Sequence, residues 1–141
     1  MGIDVFMSWG TGPSFDGNFE ESFRGANGYL REAYHGGPYA TVVLVPEAFG
    51  DPLRAAQAFG MARVESAAVG TDADGYALIP AGVLRSRLAA TLLTVADRYR
   101  TVYDEECGEG HPALREFVEF VELAERMQAQ LGHPVGVSAS W

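Results

Sequence analysis

The segment Arg31-Glu32-Ala33-Tyr34-His35-Gly36-Gly37-Pro38-Tyr39 holds the densest polar and aromatic chemistry of the chain. His35, working with Glu32, Tyr34 or Asp4, has the residue types of general acid–base catalysis, as in a small hydrolase. The same stretch suits recognition. Arg31, His35 and Tyr39 offer a cation, an imidazole and a ring with a hydroxyl, and the two glycines allow a ligand close to the backbone. Spaced as in a helix, Arg31 and His35 stand one turn apart on one face. His35 near a helix C-terminus would have its protonated form favoured by the dipole. An architectural reading competes with both: Gly-Gly-Pro ends helices, a histidine can cap the last carbonyls, and tyrosines line cores with the hydroxyl at the edge. Enzyme or binding module is therefore left open, with the binding module ranked first because no recognisable nucleophile, metal cluster or cofactor loop accompanies His35.

Other constellations carry less. Cys107, Glu109 and His111 alternate in an acidic loop that also holds Asp104, Glu105 and Glu106. Thiolate, carboxylate and imidazole all bind zinc, yet a structural site normally has more Cys and His, and one short loop gives poor tetrahedral geometry. Glu105 and Glu106 are accounted for more simply by the positive start of the helix after them. Asp72 and Asp74 lack the spacing of a calcium loop and read as a turn. No serine sits in a Gly-x-Ser-x-Gly elbow, and Gly10-Thr11-Gly12-Pro13 lacks the lysine and spacing of a phosphate loop. Neither a metal nor a cofactor is expected.

The chain around these residues has 141 residues, 48% of them apolar, which suits one domain with a core of ordinary size. Its net charge is −9, and every one of its ten cations is an arginine. That balance opposes a nucleic-acid partner, since nonspecific affinity for phosphate comes from cationic side chains. It also opposes an anionic membrane surface. Cys107 is the single cysteine, so no internal disulfide can form. The first residues lack the basic and long apolar regions of a signal peptide, and the longest apolar run, from Ala40 to Pro46, is too short to span a bilayer. The expected compartment is the cytoplasm.

Periodicity supplies the elements. Ile3, Val5, Met7 and Trp9 alternate with Asp4, Phe6 and Ser8, as do Val135, Val137, Ala139 and Trp141 with Gly136, Ser138 and Ser140. Both termini thus read as half-buried strands of one sheet. The polar faces, Asp4 and Ser8 with Gly136, Ser138 and Ser140, suggest a shallow surface near His35 on which a ligand or partner docks, or else simply a wet face. Residues 10–27 read as a long loop, with a short helix conceivable near 18–24. Tyr29 to His35 is expected to be a helix in preference to a hairpin arm, and Tyr39 to Val45 a central strand, apolar on both faces. Asp51-Pro52 opens a short helix closed by Gly60. Arg63–Val69 and Tyr76–Ile79 flank a turn at Asp72-Ala73-Asp74-Gly75.

The clearest elements are two long helices, 81–103 and 112–131. Leu84, Leu88, Leu92, Val95 and Tyr99 stripe the first; Leu114, Phe117, Val118, Val121, Ala124 and Leu131 stripe the second. Joined by a short loop, they should form an antiparallel pair. The expected fold is α+β, two-layered, with a mixed or antiparallel sheet that includes both terminal strands. Phe15, Phe19 and Phe23 look hard to bury in one small core, which leaves a homodimer open.

Met1-Gly2-Ile3-Asp4, the run from Gly28 to Thr41, Val45-Pro46-Glu47-Ala48-Phe49 and the Ile79-Pro80 helix start resemble a family of small bacterial proteins without an assigned activity. The resemblance implies a bacterial cytosolic origin and no catalytic residues. Residue chemistry and resemblance together lead to one expectation: a small binding or regulatory module recognising a protein or a small polar ligand through the 10–40 region. The alternative is a small hydrolase-like enzyme with His35 as its acid–base group.

Overall fold

The computed structural model of the chain is described over residues 2–9, 24–50 and 65–141. Strand β1, Gly2–Ser8, lies inside a four-stranded sheet, paired with β2, Tyr29–Ala33, on one side and β4, Val135–Ser140, on the other. Strand β3, Ala77–Ile79, adds to β4, so the order is β2-β1-β4-β3 with every pairing antiparallel. Two long helices, α2 at Ala81–Val102 and α3 at Pro112–Leu131, complete the α+β fold.

The terminal strands behave as their alternation requires. Ile3, Val5, Met7, Val135 and Val137 are all buried on the face turned to the helices. Helix α2 follows Pro80 at its N-cap and buries Leu84, Leu88 and Val95; α3 buries Phe117, Phe120, Val121 and Ala124. Gly132 ends α3 in the left-handed conformation at φ 77°, the backbone state that glycine adopts without steric cost.

Two local expectations are overturned. Residues 29–33 form a strand instead of a helix, because pairing with β1 buries Leu30 and Glu32 on one face and leaves Arg31 on the other. Tertiary pairing outweighs the helix propensity of Leu, Arg, Glu and Ala. After the strand the chain bends through Gly36 and Gly37, both at positive φ, with a cis peptide at Gly37–Pro38. The expected central strand at 39–45 is a short helix, α1, Ala40–Leu44, followed by a 3-10 turn at Pro46–Phe49. A run apolar on every side fits a buried helix as well as a buried strand, and periodicity alone does not separate them.

The expected turn at Asp72–Gly75 is present: Asp72 Oδ1 accepts from the backbone N–H groups of Asp74 and Tyr76. Residues 65–70 run beside β3 through Val69 N–H to Leu78 O and Leu78 N–H to Gly70 O without themselves forming a strand. The helix expected from Asp51 to Gly60, residues 10–23 with Phe15, Phe19 and Phe23, and Arg63 lie outside the described residues.

Two ion pairs reach out from α2, Arg98 to Glu32 of β2 and Arg87 to Glu47 of the 3-10 turn after α1. Arg87 and Arg98 are eleven residues apart, about three turns, so they share a helix face. Arg87 donates to both oxygens of Glu47, at 2.8 and 2.7 Å, and to Leu44 O at the end of α1. Burial alone would raise the Glu47 carboxyl, but hydrogen bonds from Arg87 and Ala67 N–H outweigh it and hold the group below the ordinary carboxylate range. A depressed folded value means a contribution present above the unfolded value, about 4.3, and lost as pH falls through the folded one. Glu47→Gln, which strands Arg87, should therefore cost about 3–5 kcal/mol in urea unfolding near pH 7. The gap from the parent should narrow steadily as the medium is made more acid than that.

A second packing constraint sits at Gly25, in the 3-10 turn Gly25–Asn27 that lies against α3. A Cβ there would fall 1.9 Å from Glu116 O. Gly25→Ala should cost about 1–3 kcal/mol, the usual penalty of overpacking, read as a lowered midpoint in thermal or urea unfolding.

Candidate functional site

The residues expected to act together divide between the two faces of the sheet. Asp4 pairs in register with Arg31 and Ile3 with Glu32, so Asp4 and Arg31 project outward while Glu32 projects into the helical layer. Outside, Asp4 Oδ1 accepts from Arg31 Nη1 at 2.8 Å and from the Tyr29 hydroxyl. Burial, and then the Asp4 hydrogen bond, raise the Tyr29 phenol above its ordinary pKa. Arg31 is likewise raised, first by its hydrogen bond with Tyr29 and then by Asp4.

Inside, Glu32 has no exposed side-chain surface. Its Oε1 accepts from Thr41 N–H at 2.9 Å and Thr41 Oγ1 at 2.8 Å. Its Oε2 accepts from Ala40 N–H at 3.0 Å and Arg98 Nη1 at 2.7 Å, with His35 Nε2 at 3.4 Å. The carboxylate therefore serves the first amides of α1, a cap supplied from eight residues upstream, and ties α1 to α2. Two carboxylate oxygens offer roughly four acceptor positions, and the helix amides, the hydroxyl and the guanidinium occupy them.

His35 comes after β2 on the bend instead of ending a helix, so the dipole argument for its charge does not apply. Its ring packs 4.5 Å from that of Tyr39, whose hydroxyl accepts from His35 N–H and Gly36 N–H at 3.2 and 3.1 Å. Tyr39 thus fastens the Gly36-Gly37-Pro38 bend. Tyr34 is exposed and meets Tyr39 edge-on at 6.4 Å. Glu32, His35 and Tyr39 come together, Tyr34 stands beside them, and Asp4 with Arg31 lies on the far side of the sheet.

The polar outer face expected to serve for docking is not the continuous shallow surface that its residue types suggest. Ser8 is fully buried, and a side chain at Gly136 would meet Asp72 Oδ2 at 2.5 Å and Tyr76 Cβ at 2.8 Å, so the 70s turn covers that end. In the acidic loop, His111 Nδ1 accepts from Ala113 N–H as the cap of α3, and its Nε2 lies 3.4 Å from Glu105. Burial, then Glu105, push the Cys107 thiol up, away from the reactive thiolate. Among the described residues no group of three or more His, Cys, Asp or Glu side chains is placed to hold a metal. No helix among them is long and apolar enough to cross a membrane.

A cleft that the sequence did not single out lies along β2. It has a volume of about 280 Å³ and is walled by Tyr29, Leu30 and Arg31 on the strand and by Arg98, Tyr99, Ala113, Glu116 and Phe117 on the helices. Arg98 is 11% exposed, with its guanidinium carbon 5.1 Å from the centroid of the Tyr99 ring. Nη1 is spent on Glu32, whereas the buried Nε has no hydrogen-bond partner, and no acceptor among the described residues meets Nη2 either. Glu116 is occupied by Gly25 N–H at 2.7 Å. The sequence signal for this site was an arginine on the flank of an apolar helical stripe, three residues beyond Val95. Such a position calls for an internal acid.

Compared with protein-family models, curated proteins and solved structures, the chain matches none.

Because Glu32 completes α1 while His35 only abuts it, the two should respond differently to substitution. Glu32→Ala, which leaves Arg98 buried and unpaired, should cost about 3–5 kcal/mol. His35→Gln should cost no more than about 1 kcal/mol. Chemical unfolding of the two variants checks the order, and a larger loss from His35 would contradict it.

Proposed function

We propose that the chain is a binding module, and that it takes a carboxylate-bearing ligand, free or part of a protein, in the cleft beside Tyr29, Leu30 and Arg31. One observation carries this reading: Arg98, which lines the cleft, has a buried Nε without a hydrogen-bond partner among the described residues. A buried donor without an acceptor costs about 1–3 kcal/mol, and such groups are rare in folded proteins. Nε and Nη2 lie on one edge of the planar group, the edge that grips a carboxylate through two parallel hydrogen bonds. The opposite edge is already held by Glu32, so the donor pair is oriented before any ligand arrives, which lowers the entropic cost of binding. The Tyr99 ring beside the guanidinium restricts it further.

The hydrolase reading keeps one observation in its favour, the contact of His35 with Glu32. Against it stand the full engagement of Glu32 by structural donors and the placing of Asp4 on the other face. A bacterial cytoplasmic setting and a protein or small-molecule partner, not nucleic acid, fit the resemblance and the net charge of −9.

Arg98→Lys preserves a cation against Glu32 but removes the planar fork. Calorimetry or ¹⁵N–¹H spectra with propionate and benzoate should show binding to the parent protein that Arg98→Lys weakens about tenfold or more, the equivalent of one charge-assisted hydrogen bond. Equal affinity of the two proteins, or no binding to either, would sink the proposal.

A further inference from the structure

We infer that the ligand of this cleft is the C-terminal end of an extended polypeptide, which adds to the outer edge of β2 as a further strand and sets its terminal carboxylate on Arg98. This rests on the carboxylate-binding reading above and narrows it to one ligand class.

The hydrogen-bond parity of β2 supplies the argument. Met7 N–H donates to Gly28 O, one step beyond the register that pairs Phe6 with Tyr29 and Val5 with Leu30. In an antiparallel ladder the bonded pairs alternate, so Gly28, Leu30 and Glu32 turn their backbone groups to β1. Tyr29, Arg31 and Ala33 turn theirs the other way. The Tyr29 N–H is taken by Arg24 O. The outward N–H and C=O of Arg31 and Ala33 have no partner among the described residues. β2 is the edge strand of the sheet, and an unpaired edge is a template for another chain.

The cleft lies where that chain would run. It touches three consecutive residues of β2, which inner-face or outer-face contact alone would not do, and is roofed by α2 and α3. An added strand sits about 4.8 Å beyond its neighbour. The small volume, about 280 Å³, suits the end of a chain better than a long traversing segment.

Charge complementarity selects which end. On a chain of net charge −9, Arg24, Arg31 and Arg98 stand around this edge. Glu116 is the acid in the cleft, and Gly25 N–H already engages it. Asp4, on the outer face, answers Arg31. A peptide backbone offers donors and acceptors in alternation to Arg31 and Ala33, and its terminal carboxylate meets the Arg98 fork. Leu30 and Phe117 then favour an apolar last side chain. An exposed arginine on an edge strand also discourages indiscriminate pairing with other sheets.

The test uses the full chain, ¹⁵N-labelled, titrated with propionate and with N-acetyl-Ala-Ala-Ala-Leu as free acid, as C-terminal amide, and N-methylated at each residue in turn. The free acid should bind about tenfold or more tightly than propionate or the amide. The Arg31 and Ala33 amide signals should move, and N-methylation should weaken binding at alternate positions only. If propionate binds and the peptide acid is no tighter, or if the amide equals the acid, the peptide inference falls while a simple carboxylate site stands. If neither propionate nor peptide binds, both readings fall together.

Discussion

A carboxylate with no access to water governs this structure. Burying a charged Glu32 is costly unless its oxygens are filled by donors and its charge is matched. The donors come from two places in the chain: the start of α1, with the amides of Ala40 and Thr41 and the Thr41 hydroxyl, and Arg98 from α2. The amides must point at a single spot, which they do at the start of a helix and would not do in a strand. Glu32 must point inward, which fixes the register of β2 on β1. Arg98 must reach it, which fixes the rotation of α2 about its axis. At the other end of α1, Arg87 bonds Leu44 O and Glu47. The short helix is thus held at both ends by side chains from elsewhere, and both arginines come from one face of α2.

The same constraint explains which parts of the fold are legible in the sequence. The terminal strands and the two long helices satisfy themselves through repeating apolar patterns that a linear reading detects. Ile3, Val5 and Met7, or Leu84, Leu88 and Val95, need only a core to face. Residues 29–45 do not work in that way. Their secondary structure is decided by Glu32 and Arg98, sixty-six residues apart, and neither local propensity nor local periodicity contains that separation. The helical preference at 29–35 and the strand-like run at 39–45 are therefore exchanged in the folded chain. The polar residues of the segment are unusual, as their types and spacing indicate, and the structure gives two of them an architectural part: Glu32 and Tyr39 fasten α1 and the bend that precedes it.

Site geometry results from the exchange. Had 29–35 been helical, Arg31 and His35 would share a face and a ligand could lie across them. As a strand, the segment sends Arg31 and Glu32 to opposite sides, and leaves His35 against the ring of Tyr39. In return the strand provides an edge, something that side-chain identity does not reveal. Arg98, whose position in the sequence looks like one more charge on an amphipathic helix, becomes the group that faces that edge.

On the proposed reading Arg98 has two duties on its two edges, and the duties are coupled. Glu32 positions the guanidinium by holding Nη1, and this leaves Nε and Nη2 aimed without a partner among the described residues. Any ligand that fills them must bind the folded chain alone, because neither the cleft nor the oriented fork exists once β2 leaves the sheet. Such binding stabilises the fold by mass action, and it does so at the junction of β2, α1 and α2 where Glu32 is buried. On that reading, occupancy supplies the acceptor that Nε lacks among the described residues. The low dielectric that strengthens the filled bonds to Glu32 is also what makes the unfilled Nε costly.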